Sequence, residues 1–151
     1  MMDNASGTVI KDTLRSTLQE LGWDPEPTDL PGAFHIDFGP PHLPISTGLA
    51  TVATQSRQFI LYLNFGFIVP PNRRNDVLRC IARINWGLII GNFELDLDDG
   101  HLRFKSSFDF DGTEFTSVLI RNATLAAMSA VDVHAESLVN LSTPRFTDET
   151  P

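Results

Sequence analysis

The sequence predicts an α+β fold, a twisted antiparallel sheet of about five strands with three helices in the order α-β-β-β-α-β-β-α. Segments with apolar residues at helical spacing flank groups of segments in which apolar and polar residues alternate. Short turns join consecutive strands, which favours antiparallel pairing. The helices bracket groups of strands and do not follow each strand in turn, as they would in a doubly wound sheet.

The first element is predicted to be a helix, because apolar residues recur every three or four positions over residues 9–21. Gly22 is expected to end this helix in a left-handed conformation, with Trp23 packing back on Leu18. Residues 1–7 are small and polar, so we expect them to form a flexible tail.

Three strands are predicted next, over residues 34–38, 45–54 and 59–69, after a connector rich in proline. The third of these strands is apolar on both faces, which is typical of a central strand. Phenylalanine and leucine fill one face, and Ile60 and Tyr62 lie on the other. Those two side chains need a cover, which the fold's own helices, a second copy or a bound segment could supply.

A middle helix is predicted over residues 72–88, after two prolines that stop the preceding strand. Apolar residues follow one side of it at helical spacing. Arginines lie mostly on the other side: Arg73, Arg74, Arg79 and Arg83. A solvated helix face is the simpler interpretation of these arginines, and a partner site is the alternative.

Residues 92–110 are predicted to form a β-hairpin with a two-residue turn at Asp99-Gly100. Each half alternates apolar and charged residues, so the predicted register places Leu95 opposite Phe104, with both buried. The same register pairs opposite charges across the hairpin: Asp96 with Arg103, and Glu94 with Lys105.

A last helix is predicted to begin near Thr113 or Phe115 and to reach Leu141, with residues 131–133 as a candidate kink. We expect one domain over residues 8–141, because no internal linker or repeat interrupts the pattern. Residues 142–151 are polar and are expected to form a second flexible tail.

The composition limits the classes of partner. Nineteen acidic and 11 basic side chains give a net charge of −8, so the surface repels nucleic acid and anionic membranes. The N-terminus lacks the pattern of a secretory signal, and no stretch has the length and hydropathy of a membrane span. The single Cys80 excludes an internal disulfide and is typical of a reducing compartment, so we expect a cytoplasmic protein.

The middle of the chain resembles a known family. Residues 84–96, INWGLIIGNFELD, resemble the signature of the YbjN family of bacterial proteins, in which a helix ends in Asn and Gly-x-Phe-x-x-Asp opens a hairpin. The family is labelled a sensory transduction regulator, and its fold is similar to that of type III secretion chaperones. The resemblance therefore implies a three-helix, five-strand module that often dimerises and binds protein segments.

The resemblance implies no catalytic residues, because the family has none that are agreed. In one respect the chain departs from the family pattern, which tends to carry a proline in the last helix. Residues 132–136 contain no proline, which favours a straighter last helix.

Few residues suggest chemistry. His35, Asp37 and His42 are the one close group of potential metal ligands, and a solvated strand face with a loop histidine explains them better. Glu94, Asp96 and Asp98 share a face, where basic residues opposite them favour an ion-paired surface over acid–base catalysis. We therefore expect no metal, no cofactor and no catalytic residue.

The sequence thus favours a non-enzymatic interaction module, a regulator or chaperone-like binder of a protein segment, which contacts a protein partner or a second copy through an apolar surface. The candidate contact residues are Ile60, Tyr62, Val52, Arg79 and Arg83. One alternative is a small-molecule-binding protein or enzyme with a pocket between sheet and helices, and another is a structural subunit of a larger assembly. Convergent histidines and acidic groups in such a pocket would favour a ligand or metal site.

Overall fold

In the described part of the chain, residues 3–39 and 44–143, one antiparallel six-stranded sheet and three α-helices make up this computed structural model. The elements are α1 (Asp3–Glu20), β1 (Glu26–Pro27), β2 (Ala33–Asp37), β3 (Ile45–Ala53), β4 (Gln58–Ile68), α2 (Arg74–Gly87), β5 (Asn92–Leu95), β6 (His101–Asp109) and α3 (Ser117–Ser142). The predicted α+β class is confirmed, and the two-residue β1 is the strand added to the five expected.

The strands lie in the order β1-β2-β3-β4-β6-β5. The β5–β6 hairpin therefore pairs with the rest of the sheet through its second strand, and β5 lies at the edge. Helix α2 connects β4 to β5 and packs against β5 and α3. Strand β4 is central, as its apolar composition predicts.

Helices α1 and α3 contact each other and cover one face of the sheet. The side chains of Phe59, Leu61 and Leu63 on β4 are 0% exposed on this covered face. Val52 pairs with Phe59 across β3 and β4, so it lies on the covered face too and is 1% exposed. The expectation that Val52 shares a surface with Ile60 and Tyr62 is therefore wrong, since those two lie on the opposite face.

Helix α1 begins at Asp3, and the flexibility expected of residues 1–7 stays a prediction. Its C-terminal end has the predicted geometry. Gly22 has a φ of 84°, the Trp23 amide donates to the Leu18 carbonyl at 3.1 Å, and the Gly22 amide donates to the Gln19 carbonyl at 2.9 Å. These two bonds satisfy carbonyls that the helix end would leave unpaired.

Helix α3 runs without interruption from Ser117 to Ser142, so the helix has no break at residues 131–133. Thr116 caps its start by accepting a hydrogen bond from the Leu119 amide at 3.4 Å. Small side chains bring the helix close to the sheet: Ala123, Ala127 and Ala130 are all buried. Of the predicted tail 142–151, residues 144–151 lie outside the described residues, and the domain limits 8–141 stay a prediction.

The hairpin forms, but its predicted register is wrong by two residues. Glu94 lies opposite Arg103, and Leu95 lies opposite Leu102. A shift of two leaves each side chain on its predicted face, because side chains alternate with a period of two. Phe104 is accordingly buried, and Leu95 is partly buried.

The loop of the hairpin is longer than the predicted two-residue turn, because pairing ends at Leu95 and Leu102. Residues outside the hairpin contact this loop. The Arg74 guanidinium donates to the carbonyls of Leu97 and Asp98, at 2.9 and 3.2 Å. The Gly100 carbonyl accepts a hydrogen bond from the Val69 amide at 2.9 Å. Gly100 has a φ of 82°, and a Cβ there would overlap the Val69 carbonyl oxygen. These tertiary contacts stabilise a loop that the local turn preference does not predict.

Candidate functional site

The face of the sheet opposite α1 and α3 has an apolar centre formed by Leu49, Ile60 and Tyr62. We call this surface, with its charged border, the open sheet face. Tyr62 lies directly between Leu49 on β3 and Lys105 on β6, and Ile60 lies between Thr51 and Ser107. Ile60 and Tyr62 are half-buried, and neither belongs to the hydrophobic core under the helices. None of the described helices covers them.

Ion pairs form the border of the open sheet face along β5 and β6. Glu94 binds Arg103 at 2.7 Å and Lys105 at 2.6 Å. Partial burial of Glu94 raises its pKa, but hydrogen bonds from Lys105, Arg103 and Asn92 outweigh burial and hold that pKa below its ordinary value. The Arg103 guanidinium also lies 4.1 Å from the centre of the Tyr62 ring, which joins the charged border to the apolar centre.

The arginines at the start of α2 and those further along it have different roles. Arg73 is 5% exposed, donates to the Leu141 carbonyl at 2.6 Å and pairs with Asp76. Arg74 donates to three backbone carbonyls, including that of Val69 at 3.1 Å. Both therefore hold the fold together, which removes them from the basic surface that the sequence suggested.

Arg79 and Arg83 are exposed, as predicted. Within the described residues neither guanidinium has a hydrogen bond or an ion pair. They border a groove of about 390 Å³ between α2 and the end of α3, which we call the α2–α3 groove. The groove is lined by Asp76, Arg79, Cys80, Arg83, Ile84 and Leu141.

The structure does not bring all of the predicted contact residues together. Ile60 and Tyr62 lie at the centre of the open sheet face, whereas Arg79 and Arg83 lie on α2, which packs beyond the β5 edge. Val52 lies in the core. The molecule therefore presents two separate candidate surfaces.

Among the described residues, large side chains from the sheet and the helices fill the centre of the core and have no exposed surface. Among them are Leu14, Phe59, Phe104 and Leu138, all 0% exposed. This filling argues against a ligand site at that position. Among the described residues no group of three His, Cys, Asp or Glu side chains could hold a metal ion. His42 of the candidate ligand group lies outside the described residues, and the absence of a metal or cofactor stays a prediction.

The sequence did not predict the exposure of the last turn of α2 and of the connector that leads to β5. Trp86 is 93% exposed and Ile89 is 98% exposed. The side chain of Asn85, beside Trp86, binds the backbone of Phe93 and so ties the end of α2 to β5. The Phe93 amide donates to Asn85 Oδ1 at 2.8 Å, and Asn85 Nδ2 donates to the Phe93 carbonyl at 3.0 Å.

Gly91 completes this connection. It has a φ of 74°, and a Cβ at this position would lie 2.5 Å from the Phe104 ring. Only glycine fits there without displacing a core side chain. The Asn and Gly-x-Phe positions of the signature in residues 84–96 thus fix how α2 joins the hairpin, and their role is structural.

None of the described helices is long and apolar enough to cross a membrane.

Comparison with protein families finds a match over residues 11–138 to the YbjN family, described as "Putative bacterial sensory transduction regulator". Comparison with curated proteins finds no match. Among solved structures, YbjN from E. coli is 17% identical, with a TM-score of 0.62 over 84% of this chain and 92% of that chain.

Two similar structures come from complexes. A chain of the HopA1–SchA chaperone–effector complex is 11% identical, with a TM-score of 0.57 over 88% of this chain and 98% of that chain. A chain of the heterodimeric ExoU–SpcU complex, from the type III secretion system of Pseudomonas aeruginosa, is 13% identical, with a TM-score of 0.52 over 83% and 94%. At these identities the likeness establishes a shared fold.

Proposed function

This chain belongs to the YbjN family, and from that membership and its exposed surfaces we propose that it is a non-enzymatic interaction module, a regulator or chaperone-like binder of a protein segment. The open sheet face is the proposed binding surface. The observation that carries the proposal is that Ile60 and Tyr62, in the middle of the central strand, have no cover from the described helices. A cytosolic location, which the lone Cys80 thiol suits, is part of the proposal.

Burial energies support a partner at this surface. Covering an exposed apolar side chain of this size contributes roughly 1.5–3 kcal/mol, and here each side chain is already half-buried, so the gain is smaller. Leu49, Ile60 and Tyr62 adjoin one another across two strands, so one partner side chain can contact all three. Such a cluster suits the centre of an interface, where apolar anchors are surrounded by polar groups.

The border determines the kind of segment that fits. Arg103 and Lys105 share a single carboxylate, that of Glu94, so these two basic groups can bind a further acidic group. We propose a partner segment with an aromatic or large aliphatic residue over Tyr62 and an acidic residue facing Arg103. Two fold neighbours come from complexes with protein partners, which supports a binding role of this kind.

Arg79 and Arg83 are proposed as a second contact surface, for acidic groups. Their exposure and their lack of ion pairs within the described chain support this role.

A displayed library of random peptides tests the role of the open sheet face. Selection would use the wild-type chain and, in parallel, the double variant Ile60→Asp, Tyr62→Ser. We expect apolar–acidic peptides whose affinity for the double variant is lower by at least about tenfold, the loss of about 1.4 kcal/mol of contact energy. Leu125→Asp is the matched control, because Leu125 is 52% exposed on α3, away from this face.

Peptides that bind the wild type and the double variant equally would contradict the proposal, provided that both chains show the same circular dichroism spectrum and cooperative melt. Light scattering at moderate salt examines the other possible occupant, a second copy. A wild-type dimer that the double variant converts to a monomer would assign the open sheet face to self-association and would overturn the partner-segment proposal.

A further inference from the structure

The open sheet face carries two exposed carboxylates along β1 and β2, at the margin opposite its ion-paired border. His35 on β2 pairs with Glu26 on β1 and with Leu49 on β3, so these three side chains form one row on this face. Asp37 follows two residues after His35 and therefore shares the face. Glu26 and Asp37 are exposed, and neither has an ion pair within the described residues. The proposed function assigns no role to this margin.

Charge on the open sheet face changes across the strands. Tyr62 pairs with Leu49 on one side and with Lys105 on the other, so the row that starts on β1 continues to β6. Neighbouring strands lie about 4.8 Å apart, so the row from Glu26 to Lys105 is about 19 Å long. Asp109, on the same face of β6, is four residues from Lys105, about 13 Å along the strand. The side chains of β3 and β4 between the two margins are uncharged: Thr47, Leu49, Thr51, Ile60, Tyr62 and Asn64.

A second row has the same order of charges. Asp37 pairs with Thr47, which pairs with Asn64, and Asn64 pairs with Arg103. Asn64 Nδ2 donates a hydrogen bond to Thr47 Oγ1 at 3.2 Å, so the two middle side chains bind each other. Both rows therefore run from a carboxylate, across uncharged side chains, to a basic side chain.

We propose that the bound segment also carries a basic residue, and that its charges fix its direction on the open sheet face. The basic residue binds the carboxylates of Glu26 and Asp37. Apolar residues of the segment cover Leu49 and Tyr62, and its acidic residue lies at Arg103. An extended segment rises about 3.3 Å per residue, so about six residues separate the basic group from the acidic group. This placement rests on the proposed function, whose segment and surface it shares.

Charge complementarity favours one placement of such a segment over the opposite one. A segment turned end for end would bring its acidic residue to two carboxylates and its basic residue to Arg103 and Lys105. Like charges that face each other across a contact oppose binding. The basic residue can precede or follow the acidic one in sequence, because the chain can cross the strands in either direction while its charges keep their places.

Peptides selected from the displayed library on the wild-type chain test the charge order. We expect a basic residue about six positions from the acidic one, with apolar residues between them. Each peptide would then be measured against the variant Glu26→Lys, Asp37→Asn. The Asn side chain keeps an acceptor for the Gly39 amide, which donates to Asp37 Oδ1 at 2.8 Å. Affinity should fall at least about threefold, because exposed ion pairs are individually weak.

Two controls isolate the effect of charge at this margin. Asp12→Lys with Asp132→Asn makes the same change of net charge at exposed positions of α1 and α3, on the other side of the sheet, and should leave the affinity unchanged. A peptide with glutamine in place of its basic residue should bind the wild type and the variant equally. Equal affinity of the unaltered peptide for the wild type and for the Glu26 and Asp37 variant would overturn the inference.

A nitroxide spin label beside the basic residue of the peptide reports its direction. The label should broaden the amide NMR signals of β1 and β2 more than those of β5 and β6. Peptides of either chain order should give the same pattern, because the basic residue lies at the same margin. Stronger broadening of β5 and β6, or equal broadening of both margins, would overturn the inference.

The outcome is separable from that of the proposed function. Peptides that lose affinity for the Ile60 and Tyr62 variant, but not for the Glu26 and Asp37 variant, would overturn only the inferred direction. Selection that yields no peptide dependent on Ile60 and Tyr62 would overturn both. A peptide affinity that falls as the protein concentration rises would place a second copy on this face and would also overturn both.

Discussion

Neighbouring side chains of strand β4 face two contrasting environments. Phe59, Leu61 and Leu63 point under α1 and α3 and have no exposed surface, whereas Ile60 and Tyr62 stay half-buried beside charged groups. Burial on the covered face stabilises the fold, because every apolar group there is removed from water. The open sheet face contributes less to folding and keeps side chains available for contact. Substitutions on one strand can therefore separate stability from recognition.

The largest expected effect is on the covered face. Leu61→Ala should lower the free energy of unfolding by roughly 2–5 kcal/mol, because it leaves a cavity under the helices. Ile60→Ala, one residue away, should cost no more than about 1.5 kcal/mol, because solvent or a rotated neighbour fills the space. Urea denaturation of both variants measures the difference. Equal losses of unfolding free energy in the two variants would show that both faces of β4 contribute equally to stability, which would contradict the comparison.

A pair of serines on β6 sharpens the comparison. Ser106 lies on the covered face with 0% exposure, and its hydroxyl has no hydrogen-bond partner within the described residues. Ser106→Ala should raise the free energy of unfolding by about 1 kcal/mol, because an unpaired buried hydroxyl is costly. Ser107→Ala on the open face should change it by less than about 0.5 kcal/mol. Thermal unfolding distinguishes the two, and a loss of stability in the Ser106 variant would contradict the expected sign.

The smallest expected effect concerns the ion pairs of the open sheet face. The pKa of Glu94 is below its ordinary value in the folded chain, so its pairs contribute stability above the ordinary pKa. That contribution is lost as the pH falls below about 4.3 and through the folded-state pKa. Glu94→Gln should therefore cost on the order of 0.5–1 kcal/mol at pH 7 and close to nothing at strongly acidic pH.

Denaturation at pH 7 and pH 3 would measure this difference, with Glu114→Gln as an exposed control. A cost for Glu94→Gln that is the same at both pH values would show that packing, and not charge, accounts for the role of Glu94.

Periodicity predicted which side chains of one strand share a face. Contacts between residues distant in sequence determine the hairpin loop and how neighbouring strands pair, and periodicity did not predict these. The alternation in residues 59–67 separated Phe59 and Leu61 from Ile60 and Tyr62 correctly, because that separation depends only on local geometry. The loop of the β5–β6 hairpin is also bound by Arg74, which precedes it by about twenty residues, and no turn rule includes that contact. Val52 was misplaced because its face depends on pairing with β4.

The candidate surfaces likewise show that spacing predicts exposure but not contacts with distant residues. Helical spacing correctly predicted that Arg79 and Arg83 are exposed. It could not show that Arg73 is buried, because its partner, the Leu141 carbonyl, lies at the far end of the sequence. The way in which Asn85 ties α2 to β5 also depends on a contact between separate elements, which helical spacing does not show.

The Asn85 side chain has a further consequence for how a partner can be recognised. Its side-chain amide forms hydrogen bonds with the backbone N–H and carbonyl of Phe93, where β5 forms an edge of the sheet. These two backbone groups are therefore not available to pair with an incoming strand. Addition of a strand through backbone pairing accepts almost any sequence, because every residue has the same backbone groups. With that route obstructed at Phe93, a ligand at the β5 edge is recognised through its side chains, and this favours selectivity over promiscuity.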